Sequence, residues 1–418
     1  MGAPCETATG EAPGRLDFLG GVADYSGSLV LEKPIRATTR VTLTRTKASE
    51  FQFHSTGIEG VTTVPRELVE TCADASITDA KVRQYLDDAE VAHWVRYPLG
   101  CYLVLRRSGL IAEVSGLRLE VNSRVPRSMG VSSSAALEVA TLRALRGLYR
   151  IELSDTELAH RAQEAENEIV GAPCGLMDQL AVSCAQPGQL LPILCRPDHL
   201  HPAVTLPEDV SIVGWPSGVA HAVSGNPYLR ARTATFAALA LYEKAVGERF
   251  ECPAAIPPAH FWTNADRVLS DSMPGRELTQ RVGALPDSLI KVYPDLNYAL
   301  KASLAFPIQE NARAEAALGM LCAEPRSMDR DTMVELGQRL FEAHEGYSSI
   351  GLGHPRTDAM VQAVRELGPN SGVYGARVSG GGSGGTVVVL LRPEALPVLR
   401  ELASSMTPTG ANVPELIE

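Results

Sequence analysis

The sequence predicts an α+β protein of two domains. Three observations carry that expectation. The chain has 418 residues, beyond the length at which one hydrophobic core usually stops growing. Strand-like and helix-like patterns stand side by side. Leu117, Leu119 and Val121 alternate with Arg118, Glu120 and Asn122, whereas Ala135, Val139, Leu142 and Leu145 recur at helical spacing. Composition then shifts near residue 205, where a connection from Pro202 to Pro207 precedes a new strand-like run, Val210 to Trp215. Domains of 1–205 and 206–418 follow.

Bulk properties exclude several classes. A hydrophobic content of 45% and a charged content of 21% describe an ordinary globular chain. The net charge of −11, from 38 basic and 49 acidic residues, argues against nucleic acid or an anionic membrane as the main partner. Nothing points to an obligate protein partner. The eight cysteines form no CxxC pair and no zinc-spaced cluster. With no bilayer-length apolar run and no basic-then-apolar leader in the sequence given, a cytoplasmic location is the expectation.

In chain order, residues 12–35 are glycine-rich, and glycines 14, 20, 21 and 27 are expected to break the stretch into tight turns. Arg15, Asp17 and Asp24 lie among apolar neighbours and need partners, in a structural ion pair or a polar-ligand pocket. Arg36 to Arg45 alternates as a strand, and a helix is expected near Ala80–Glu90. Trp94 and Tyr97 precede the apolar segment Leu99 to Leu105, and such a pair serves either a core or an adenine site.

The stretch Pro126 to Ala136 then leads from the strand at 117–122 through Gly130 and three hydroxyl residues, Ser132, Ser133 and Ser134, into a helix. Free N–H groups and the helix dipole make such a start an anion site, although a plain serine cap has the same pattern. Ser154 and Glu157 form a capping box for a helix that ends near Gly171, with Glu166 at the border of its buried face. A boundary glutamate is either solvated or a magnesium ligand. Asp178, in Gly175-Leu-Met-Asp-Gln179, is either a turn residue or a general base that a cation such as Arg15 keeps ionised.

Helices are expected over 229–246 and over Met333 to Ser348, the latter carrying His344 as a structural residue. Gly380, Gly382 and Gly385 satisfy GxGxxG but stand between two strand-like runs, which predicts a hairpin and not a dinucleotide site. No GxxxxGK[ST] is present, so the chain is not a P-loop NTPase.

Together these glycine-rich elements resemble the GHMP kinase superfamily, in its galactokinase-like branch. Pro126 to Ala136 matches the ATP phosphate loop, with Val131 in place of leucine. Pro13-Gly14-Arg15 matches the sugar motif, Gly175 to Gln179 the catalytic motif with Leu176 in place of isoleucine, and Gly380 to Gly385 the C-terminal glycine motif.

The resemblance implies a two-domain fold with the active site in the cleft between domains, ATP as phosphoryl donor and Mg²⁺. It implies Asp178 as catalytic carboxylate with Arg15 beside it. Gly130, Ser132, Ser133, Ser134 and Ala135 would bind ATP, with Trp94 as the adenine candidate. Ser134 and Glu166 would hold magnesium. Asp17, Gly21, Val22, Asp24, Gly175 and Tyr228 would line the substrate.

One departure bears on the substrate. Galactokinases carry Gly-Glu-His-Thr-Asp-Tyr where this chain has Gly20-Gly-Val-Ala-Asp-Tyr25. The Glu-His pair reaches the C6 hydroxyl of galactose, and Gly21 and Val22 offer no such side-chain bond. L-Arabinopyranose has the ring-hydroxyl arrangement of galactose without C6. Galactose would bury an unpartnered hydroxyl, at about 1–3 kcal/mol. The first motif is also similar to that of the plant L-arabinokinases. An L-arabinose 1-kinase is therefore the expectation, with a kinase of galactose or a C6-modified galactose as the alternative and a silent sugar sensor further off. Exchange of Gly21-Val22 for Glu-His is expected to move preference toward galactose.

Overall fold

The structure is a computed structural model that describes residues 6–418 except 113–114, 197, 221–225, 284, 286–289, 324–326 and 409–411. Cys5 lies outside the described residues, and the other seven cysteines are free thiols. By compactness the chain falls into two units, neither continuous in sequence. One holds the segment up to Arg15 with Pro34–Arg127 and Ser132–Ala185, and the other holds Leu16–Lys33, Ser128–Val131 and Gln186–Glu418.

In the first unit, residues 39–46 of the strand Leu29–Thr46 pair antiparallel with Gly116–Ser123, placing Val41 opposite Val121 and Leu43 opposite Leu119. All four are buried, which is the face the alternation marked. Glu50–Ser55 adds in parallel on the other side of Gly116–Ser123, and Thr62–Pro65 pairs antiparallel with it. Four helices matter to the site: His93–Arg107, Ser133–Tyr149, Asp155–Glu164 and Met177–Cys184.

The capping box forms as the sequence requires. Ser154 Oγ accepts from the Glu157 N–H at 3.2 Å, and Glu157 accepts from the Ser154 N–H at 2.7 Å. Its helix then widens into a π-helical turn, Ala165–Val170, and ends at Gly171 in the left-handed region, φ +81°. His93–Arg107 packs on that turn through Gly100, where an added Cβ would stand 3.2 Å from Ile169 Cβ. Trp94 and Tyr97 lie inside this helix and do not precede a separate element.

In the second unit, Val373–Val378, Thr386–Leu391 and Ser211–Pro216 form an antiparallel sheet with Thr386–Leu391 in the middle. Every residue of Val373–Val378 and Thr386–Leu391 is buried, because helices Arg330–Ser349 and Pro355–Leu367 cover the sheet. Val213, Trp215, Phe341, Met360, Val387 and Val389 fill the space between. Each such side chain stabilises the fold by roughly 1.5–3 kcal/mol. Gly380 to Gly385 turn between antiparallel strands, so the hairpin reading of GxGxxG holds. A second core joins Asn226–Val246 to Leu300–Cys322.

His344 is interior, 5% exposed. Its Nδ1 accepts the Val378 N–H at 3.3 Å, and its Nε2 lies 3.1 Å from the Asp358 carboxylate. Burial lowers its pKa. One expectation fails in the glycine-rich stretch: Gly14 is a strand residue within Thr7–Leu19, while Gly20, Gly21 and Gly27 do take positive φ.

Candidate functional site

The start of the helix Ser133–Tyr149 separates its two readings. Ser132 precedes it at φ +58° and ψ +46°, and no side chain caps the helix. The Ser132 hydroxyl is buried and has no hydrogen-bond partner. A serine cap would satisfy a first-turn N–H. Here the N–H groups of Ser133, Ser134 and Ala135 meet no capping side chain, and a non-glycine residue is held in the left-handed region at a cost of about 1–2 kcal/mol. Strain and an orphaned hydroxyl at a helix N-terminus suit an anion and serve no structural purpose of their own.

Within the same unit, Glu166 is 4% exposed in the π-helical turn. Its Oε2 accepts from Gln179 Nε2 at 2.6 Å, and Ser134 also hydrogen-bonds to it. The two residues expected to hold magnesium are therefore in contact. Burial first, and the Asp178 charge second, push the Glu166 carboxyl up to about 7. Behind it, Glu138 is fully buried, and Gln179 Nε2 also reaches it at 3.3 Å. Burial and the Glu166 charge raise Glu138 as well. No group of three or more His, Cys, Asp or Glu that could hold a metal is present among the described residues. A hydroxyl and one carboxylate fit magnesium, which keeps waters and takes phosphate oxygens besides one or two protein ligands.

Glu166 has a folded pKa above its ordinary 4.5, so its contribution to stability is full below pH 4.5 and is lost as pH rises through about 7. Glu166→Gln keeps an amide oxygen for Gln179 and removes the titration. Its stability without ligand is expected to exceed that of the wild type at pH 8 but not at pH 5, by about 3 kcal/mol, and its thermal midpoint to be higher at pH 8 only, while turnover falls. Midpoints measured from pH 5 to 8 check this, and parallel curves for the two proteins would contradict it.

Arg15 and Asp178 meet in the first unit. Arg15 Nε and Nη2 both donate to Asp178 Oδ1, at 3.0 and 2.7 Å. Their side chains are 3% and 29% exposed, so the arginine lies inside and the carboxylate faces outward. Asp178 is the second residue of Met177–Cys184, just after the half-buried Gly175. A buried cation under an accessible carboxylate is the arrangement a proton acceptor needs.

In the second unit, Gly21–Ser26 forms a short 3₁₀ turn. Asp17, expected at the substrate, is an interior ion-pair residue instead. Its Oδ2 lies 3.0 Å from Arg377 Nη2, and both side chains have no exposed surface. It also accepts from the backbone N–H groups of Gly21, at 3.0 Å, and Gly380, at 3.2 Å. Its carboxylate is used up in fixing two glycine segments. Glu310 joins this network, 3.5 Å from Arg377 and accepting from the Gly20 N–H at 3.1 Å.

Val22 packs into an apolar cluster with Phe306, Tyr347, Ile350, Leu352 and Val378. Asp24 is 9% exposed, and its Oδ1 accepts the Tyr25 N–H at 2.6 Å. Tyr25 meets Tyr228 edge to face at 5.8 Å, so Asp24 and Tyr228 both contact Tyr25, one at its backbone N–H and the other at its ring. The glycine hairpin approaches the Ser128–Val131 segment, which carries Gly130 at φ +67°. Thr386 Oγ1 donates to the Met129 carbonyl at 2.7 Å, and a Cβ at Gly385 would stand 3.0 Å from that oxygen. Trp94 is half-buried and meets Phe53 edge to face at 6.5 Å, which is a core contact.

Glu138, Gln179, Glu310, Tyr347 and Arg377 of these networks were not singled out by sequence reasoning. Glu138 carried a signal, being one helical turn beyond Ser134, and Gln179 directly follows Asp178.

Two family models match the chain: the GHMP kinases N terminal domain over residues 96–186 and the GHMP kinases C terminal domain over residues 327–407. The fold is similar to that of Lactococcus lactis galactokinase complexed with galactose, with a TM-score of 0.75, 20% identity, and coverage of 96% of this chain and 89% of that one. It is also similar to L. major mevalonate kinase in complex with R-mevalonate, with a TM-score of 0.60, 15% identity, and coverage of 100% and 98%. The chain carries segments that match the GHMP kinase N- and C-terminal domains, and it has the mixed helix-and-sheet fold of those kinases.

Among curated relatives it is 29% identical to an L-arabinokinase of Arabidopsis thaliana, over 93% of this chain and 43% of that protein. It is 28% identical to a galactokinase of Roseiflexus sp. (strain RS-1), over 93% and 84%. The chain thus spans less than half the length of the arabinokinase it matches. No helix among the described residues is long and apolar enough to cross a membrane.

Proposed function

We propose that the chain is an ATP- and Mg²⁺-dependent sugar-1-kinase whose preferred substrate is L-arabinose. The family match and the sugar-kinase relatives support the class. The observation that carries the substrate is the turn at Gly21 and Val22, which presents no polar side chain and whose valine lies in an apolar cluster.

In this reading the phosphates lie on the N–H groups and hydroxyls of the Gly130–Ala135 loop. Ser134 and Glu166 would hold magnesium, which would supply charge stabilisation to the transferring group. Asp178 accepts the proton of the anomeric hydroxyl, and that oxygen forms a bond to the γ-phosphorus. The bond from that phosphorus to the leaving oxygen of ADP breaks. Arg15 holds Asp178 in place through its two hydrogen bonds. Asp24 and Tyr228 contact the sugar. Little covalent work is asked of the protein, since phosphoryl transfer depends mostly on positioning and electrostatics.

A panel of L-arabinose, D-galactose and 6-deoxy-D-galactose with Mg-ATP tests the reading. L-Arabinose is expected to have the highest kcat/KM, about tenfold or more above D-galactose, as one buried unpartnered hydroxyl requires. The reverse order would make the protein a galactokinase. No phosphorylation of any sugar would overturn the kinase assignment.

A further inference from the structure

The exchange of Gly21-Val22 for Glu-His looks simple in sequence and is not simple in space. A Cβ at Gly21 would stand 1.9 Å from the Tyr347 hydroxyl, and 2.7 Å from both Arg377 Nη2 and Asp17 Oδ2. Position 21 also has φ +50°. No side chain enters there unless Tyr347 yields.

Tyr347 lies in the helix Arg330–Ser349 and has no exposed surface. Its hydroxyl accepts the Val22 N–H at 3.0 Å and donates to the Gly380 carbonyl at 2.6 Å. The ring is held edge to face by Phe306 at 5.4 Å and carries the Arg377 guanidinium 5.0 Å over its centroid. A Cβ at Gly382 would meet it at 2.9 Å, so the glycine hairpin is shaped around it as well.

We propose that Tyr347 is a specificity-positioning residue: its hydroxyl fills the volume that a position-21 side chain needs and fixes the Gly21–Val22 peptide against the hairpin at Gly380. Glycine at 21 with a tyrosine hydroxyl at 347, and a side chain at 21 with a smaller group at 347, are mutually exclusive solutions. Selection against the C6 hydroxyl is therefore written in two distant positions and not in Gly21-Val22 alone. The phenol suits the task because burial pushes its pKa well above the ordinary value, so it stays a donor at any working pH. Its effect on substrate rests on the sugar-kinase reading, whereas its contacts do not.

The test is a cycle of Tyr347→Phe, Gly21→Ala and the double variant in the full chain. Thermal midpoint, kcat, and KM for sugar and for ATP are read in each. Tyr347→Phe keeps the ring and loses both bonds. It is expected to fold, to raise the KM for L-arabinose about tenfold and to narrow the pentose-over-hexose ratio. Its kcat and its KM for ATP are expected to stay within about twofold of wild type.

Gly21→Ala alone is expected to lower the midpoint sharply, and adding Tyr347→Phe is expected to recover part of that loss, because the added Cβ and the hydroxyl claim the same volume. Wild-type turnover with an unchanged sugar KM and ratio in Tyr347→Phe overturns the proposal, as do strictly additive midpoints. A wild type that phosphorylates no sugar fails the functional reading instead, and is recognised before any variant is made.

Discussion

Asp178→Asn is expected to remove turnover while leaving sugar binding in place. Asparagine keeps the shape and one oxygen for Arg15, so the pair of bonds at 3.0 and 2.7 Å is retained in geometry. In the proposed function, what disappears is the capacity to accept a proton from the sugar hydroxyl. General-base catalysis contributes roughly 10²–10⁴ in rate, and kcat is expected to fall by that much. The KM for ATP should barely move, because the Gly130–Ala135 loop proposed to hold the phosphates is unaltered. Asp178→Ala should give the same loss of turnover with lower stability, since it withdraws a charge partner from an arginine that is only 2% exposed. Steady-state kinetics and sugar-binding calorimetry on the two variants check this. Near-normal kcat in Asp178→Asn would make the residue a positioning group and not a base.

The second large effect falls on stability. Asp17→Ala is expected to destabilise the protein by about 3–5 kcal/mol, the cost of breaking a buried pair from one side. Asp17 and Arg377 have no exposed surface, and Asp17 also receives the N–H groups of Gly21 and Gly380. Its loss strands a cation that Glu310, at 3.5 Å, reaches poorly. Denaturant titration measures the change. A variant of ordinary stability with only a raised sugar KM would instead restore Asp17 to the substrate ligands the sequence suggested.

That contrast shows what sequence can and cannot carry. Arg15, Asp17 and Asp24 were legible as a problem, because charge in an apolar glycine-rich stretch must find partners. Which partner each finds depends on residues far along the chain. Arg15 meets Asp178, as the resemblance implied, while Asp17 meets Arg377, which lies in a strand whose pattern reads as core.

The hairpin at Gly380–Gly385 was legible because strand-like runs flank it, and Ser154–Glu157 because a capping box is local. The helix His93–Arg107 was not assigned. Its Pro98 and Gly100 oppose helix on propensity, and packing on Ala165–Val170 overrides them. Tyr347 left no local signal, since an aromatic at a helix position reads as core and its role lies in a hydroxyl aimed at a peptide N–H distant in sequence.

We propose that this protein phosphorylates the anomeric oxygen of a pentose that lacks C6. The sugar panel with Mg-ATP tests it most directly when each product is also read by phosphorus NMR. A sugar 1-phosphate is expected, formed with higher kcat/KM from L-arabinose than from D-galactose. Faster reaction with D-galactose, or phosphate on any other hydroxyl, would contradict it.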